Sequence, residues 1–75
     1  MNLNDIEIKQ TDTAAVNYAR ARYAIEEAMP NREQKRNAKM VVIDHLHGHL
    51  ETKTVDRFGH TAKVVVFNDG TKAKF

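Results

Sequence analysis

The chain lacks cysteine, serine and tryptophan altogether, and has one proline and three glycines among its 75 residues. Without cysteine there is no disulfide, no thiolate metal site and no thiol nucleophile. Without serine there is no serine-type triad. Aromatic residues are scarce, at 7%. No apolar run approaches the roughly 18 residues that a membrane span requires. The opening residues, Met1-Asn2-Leu3-Asn4-Asp5, are polar and acidic, unlike a secretory leader. These absences lead us to expect a cytoplasmic, intracellular protein with no membrane contact, held together by packing alone.

The apolar material is limited. Apolar residues make up 41% of the chain, or 31 positions, of which nine are alanine. Twenty-two large apolar side chains remain to build a core. A chain of this mass exposes about 4,700 Å² when folded and buries roughly 60% of its unfolded surface. That suffices for one small domain over residues 1–75. Charged residues are 29% and the net charge is +2, too balanced for a disordered polyelectrolyte. The surplus is also small for a dedicated nucleic-acid binder, whose affinity rests on neutralising phosphates. Locally the balance differs. Arg20, Arg22, Arg32, Lys35, Arg36 and Lys39 face only Glu26, Glu27 and Glu33.

The pattern along the chain predicts an α+β fold in the order α-α-β-β-β: two helices packed on a three-stranded antiparallel β-meander. Residues 1–11 read as an N-terminal arm or edge strand, carrying Leu3, Ile6 and Ile8. Residues 12–48 read as a helical hairpin and 49–75 as the meander. Thr11-Asp12-Thr13 is a helix start, because short oxygen-bearing side chains accept the free amides of a first turn. A helix over about 13–29 puts Ala14, Tyr18, Ala21, Ile25, Ala28 and Met29 on one stripe. Pro30 ends it. Asn31, with Gln34 three residues on, opens a second helix running to about His47. Its apolar stripe is Val42, Ile43, Leu46 and Leu50, with Met40 at the margin and Gly48 as the terminator. Glu26 and Glu27 are placed to meet Lys35 or Arg36.

The meander follows from alternation and turn signals. Residues 51–57 alternate, Phe58-Gly59-His60 is a turn, and Ala62–Phe67 is the strongest strand. Asn68-Asp69-Gly70 is a hairpin turn, and residues 71–75 return. Val65 and Phe67 share one face of the central strand; Ala62, Val64 and Val66 share the other. Helices cover only one of the two, and alternation does not say which.

Three constellations merit a functional reading. His45, His47 and His49 offer three ligands for a metal if the stretch is a strand, but only two on one face if it is a helix. The helical reading makes them polar residues at a helix end, so no metal and no other cofactor is expected. The basic stretch 20–39 suggests phosphate contacts with a β-hairpin as a wing, yet no third helix is present to complete such a reader. The surplus apolar surface is the strongest clue. Val16, Ala19 and Tyr23 lie opposite the core stripe of the first helix, beside Arg20 and Arg22. Exposed apolar patches rimmed by charge mark interfaces, and tyrosine with arginine is a frequent hot-spot pairing.

The expectation is therefore a non-enzymatic binding or regulatory module acting by protein–protein interaction. Its contact residues would be Val16, Arg20, Arg22, Tyr23, Arg32, Lys35 and Arg36. Its partner would be a larger macromolecule, a protein first and a nucleic acid second, with a homodimer as a further partner class. Small chains of this kind are common among phage and mobile-element proteins that inhibit or redirect host machinery. That association rests on size and lack of motif alone.

Overall fold

Each helix begins where a short polar side chain caps free amides. In the computed structural model, which describes residues 8–75, α1 spans Ala14–Ala28 and α2 spans Arg32–His45. The Thr13 hydroxyl accepts from the Val16 amide at 3.3 Å. Asn31 Oδ1 accepts from the amides of Glu33 and Gln34, at 2.8 and 3.4 Å. These contacts replace intrahelical acceptors that a first turn lacks. The arm or edge strand expected at 1–11 lies largely outside the described residues. Its last part is tied to α1: the Lys9 amide donates to Asn17 Oδ1, and Asn17 Nδ2 donates back to the Lys9 carbonyl.

The expected boundaries shift at the end of α2. The helix stops at His45, not near His47, and the left-handed turn residue is His47, with φ +59°. The terminator is therefore not Gly48, which already belongs to β1. Gly48 is small for another reason. A Cβ there would sit 2.7 Å from the Phe67 ring, so the glycine lets the two strands close over that side chain.

The sheet is antiparallel in the order β1-β2-β3, with β1 at Gly48–Thr54, β2 at Thr61–Phe67 and β3 at Lys72–Lys74. Gly48 pairs with Phe67 and Thr54 with Thr61; Val65 pairs with Ala73. The first strand thus starts three residues earlier than its alternation suggested. Leu50, assigned above to the helix stripe, is on this strand. The β2–β3 turn carries Gly70 at φ +86°, a region that glycine enters without strain.

This turn also caps α1. Asp69 Oδ2 accepts from the Ala14 amide at 2.8 Å, and Thr71 Oγ1 accepts from the Ala15 amide at 3.2 Å. The hydrogen bond from Thr71, then that from the Ala14 amide, hold the Asp69 carboxyl below its ordinary range. A negative charge at a helix N-terminus also complements the helix dipole. The two helices are clamped by Glu26, which pairs with Lys35 at 3.1 Å and Lys39 at 2.8 Å. Those two lysines pull the Glu26 carboxyl down to about 2, Lys39 most. Glu27 and Arg36 take no part in the clamp.

Both helices lie on the Val65 and Phe67 face of the sheet. The core is Tyr18, Ala21, Ile25, Val42, Ile43, Val65 and Phe67. Ala28, expected on the core stripe, is exposed. The Tyr18 ring tilts against Phe67 with centroids 5.8 Å apart. Burial pushes its hydroxyl up to about 12, and that hydroxyl has no hydrogen-bond partner among the described residues. The distal part of the β1–β2 hairpin lies outside this core, and residues 51–63 are all exposed.

Candidate binding surfaces

The hairpin tip is built by one carboxylate. Asp56 Oδ1 accepts from the amides of Phe58 and His60, at 2.9 and 3.2 Å, and Oδ2 bonds the His60 ring at 2.6 Å. Such a local Asx turn replaces backbone partners that the chain loses between strands. The His60 ring, foremost, holds the Asp56 carboxyl below its ordinary range. The turn orders an apolar display. Phe58 is 73% exposed and Val55 56% exposed. The Arg57 guanidinium sits 5.1 Å from the Phe58 ring centre, and the His60 ring lies 6.5 Å from it on centroids. From its sequence this segment reads only as a turn. The signal passed over is a phenylalanine next to a glycine, within a turn otherwise made of charged and polar residues.

A second surface lies between α2 and the hairpin. It is an open cleft of about 1130 Å³. Arg32, Lys35, Arg36, Lys39 and Lys63 line it, against Glu26 and Glu33. Five cations thus meet two carboxylates. Lys35 and Lys39 are spent on Glu26. Lys39 also lies 5.4 Å from the centre of the Phe75 ring. Lys63 donates to the Thr52 hydroxyl at 2.9 Å. Arg32 and Arg36 have no ion-pair partner among the described residues. Pro30, Leu50 and Phe75 supply the apolar part of the lining.

The contact residues expected from sequence therefore separate. Arg32, Lys35 and Arg36 come together in the cleft. Val16 and Tyr23 are exposed, at 47% and 70%, but line no part of it. Their arginine neighbours serve the fold. Arg20 pairs with Asp12 at 2.7 Å and bonds Asn17 at 3.0 Å. Arg22 Nε donates to the Phe75 carbonyl at 2.9 Å, tying the end of the chain to α1. Helical spacing reaches Asn17, three residues from Arg20, but not Asp12 or the Phe75 carbonyl, eight and 53 residues away.

The three histidines of the 45–49 run are dispersed by the helix-to-strand transition. His45 ends α2, His47 is the turn, and His49 is on β1, where its ring bonds Glu51 at 2.7 Å. Among the described residues no group of three or more His, Asp or Glu is placed to hold a metal ion. No helix of the described residues is long and apolar enough to cross a membrane. No family model, no curated protein and no solved structure matches this chain.

Proposed function

We propose that the chain is a non-enzymatic binding module that occupies a surface of a larger protein. The observation that carries this reading is Phe58. It is ordered by the Asp56 turn and flanked by Arg57, yet it is largely exposed and packs into no core. The Asp56 turn orders the backbone that presents this aromatic side chain, and such residues dominate interface energetics. Arg32 and Arg36, in the separate cleft, add positive charge that steers an acidic partner. Val16 and Tyr23 offer a second, smaller apolar contact. A small regulator of this kind fits an inhibitor or modulator of host machinery encoded by a phage or mobile element and acting in the cytoplasm.

The test is affinity capture from nuclease-treated host lysate with the wild-type chain and with Phe58→Ala. We expect a defined protein on the wild type and its loss, by at least about tenfold, on the variant. Equal capture by both would remove Phe58 as the anchor.

The basic cleft favours a second reading, a nucleic-acid-binding regulator. Five cations facing two carboxylates present a positive field, which by itself attracts phosphate. This reading requires a gel shift that weakens steeply as salt rises. A band that does not move at low salt excludes it.

A further inference from the structure

We infer that two copies of the chain join through the outer edge of β1, antiparallel about Thr52, to form one continuous six-stranded sheet. The strand order leaves β1 and β3 as the two edges. They are unequal. The β3 edge has three residues, two of them lysines, which is how natural sheets blunt an edge. The β1 edge has seven, Gly48–Thr54, and among the described residues nothing pairs with its outer side.

The direction of each amide follows from one bond. The Val55 amide donates to the His60 carbonyl across the hairpin, at 2.9 Å. Hydrogen-bonding groups alternate sides along an antiparallel strand. Leu50, Thr52 and Thr54 therefore turn their N–H and C=O groups outward. A second β1 laid antiparallel with Thr52 opposite Thr52 pairs Leu50 of each copy with Thr54 of the other. About six backbone hydrogen bonds form.

Side-chain charge then selects the register. Centred on Thr52, Glu51 of each copy lies opposite Lys53 of the other, twice over, and the two threonines face each other. Opposite charges and threonine pairs are favourable cross-strand neighbours. Moving the centre by one residue sets Glu51 against Glu51, or Lys53 against Lys53, directly opposed like charges that destabilise the pairing. Moving it by two, to Leu50, leaves Lys53 and Thr54 of both copies beyond the paired strand.

The pairing also answers a structural deficit. The distal part of the β1–β2 hairpin is exposed throughout, and a two-stranded hairpin without cover is marginally stable in water. In the pair, the two distal segments become the inner strands of a four-stranded section. The interface is small, so the dimer is weak and concentration-dependent.

Sedimentation velocity from about 10 µM to about 1 mM tests this. The wild type should pass from monomer to dimer mass across that range. Glu51→Lys and Lys53→Glu should each weaken the dimer by roughly tenfold, and the double exchange E51K/K53E should restore it. Thr52→Pro should be monomeric throughout. Its lost N–H faces away from β2, so the hairpin ladder keeps its bonds, which circular dichroism and melting will check. If Thr52→Pro fails to fold, the three charge variants, all at exposed positions, still decide the matter. A wild type that stays monomeric to about 1 mM overturns the proposal. So does a double exchange that fails to recover the dimer.

Discussion

The sheet has two regions, and the same alternation of side chains serves them differently. Near Gly48, Val65 and Phe67 it lies under both helices, and its inner residues are buried. Along residues 51–63 it runs past the helices, and every residue is exposed. Strand formation in the first region comes from burial of apolar area. In the second it comes from the backbone ladder, the Asp56 turn and cross-strand bonds such as Lys63 to Thr52. Backbone pairing thus extends further than the core. The stretch beyond the core is the part free to meet something else.

The comparison breaks most visibly by truncating one valine in each region. Val65→Ala removes two buried methyl groups and leaves a cavity, so it should cost about 2–3 kcal/mol. Val55→Ala should change stability by no more than about 0.5 kcal/mol. Urea unfolding of both variants measures the difference. Equal costs would mean that the distal hairpin shares the core.

A comparable or smaller effect is expected at the covered end of the sheet. Gly48→Ala drives a methyl group to 2.7 Å from the Phe67 ring. The ring or the strand must shift, at about 1–3 kcal/mol. Phe67 resonances should move by NMR while the tip residues stay in place. Movement of the tip as well would show that strain at the covered end is transmitted along the hairpin.

Acid should act on both regions at once. Glu26 in the covered region is pulled from 4.5 down to about 2 by its lysines. A carboxyl with a lowered folded-state pKa contributes stability that is present above its unfolded value and lost as pH falls through the folded one. The melting temperature should therefore decline from near pH 4.5 toward pH 2. Asp56 and Asp69, also lowered, add to the same slope. Glu26→Gln should flatten part of it. An unchanged slope would mean that the clamp between the helices contributes nothing. The side chains involved are largely in water, where such pairs are weak.

Much of the architecture was legible because its causes are local. Thr13 and Asn31 cap the helices they were expected to cap. Pro30 separates them, and the Asn68-Asp69-Gly70 turn joins the last two strands. The pairing of Glu26 with Lys35 was also readable, since they flank the short connection around Pro30 that joins the two helices. Other features had no local cause. Asp69 and Thr71 cap α1 from 55 and 56 residues away. Arg22 looks like a surface cation in sequence, but the Phe75 carbonyl 53 residues away engages it. Gly48 reads as a helix stop until Phe67 is placed against it. The run of histidines could not be resolved until His47 took the left-handed conformation between helix and strand.

The sequence by itself determined the order and type of the elements, the two faces of the central strand and the local excess of positive charge. Those follow from capping chemistry, periodicity and composition, which act over a few residues. Only the tertiary structure decided which face of β2 the helices cover, where that cover ends and which cations remain without a partner. Those depend on where α1 and α2 pack against the sheet. No short window of sequence contains that placement, which leaves Phe58 uncovered, while the strand order β1-β2-β3 leaves β1 as an edge.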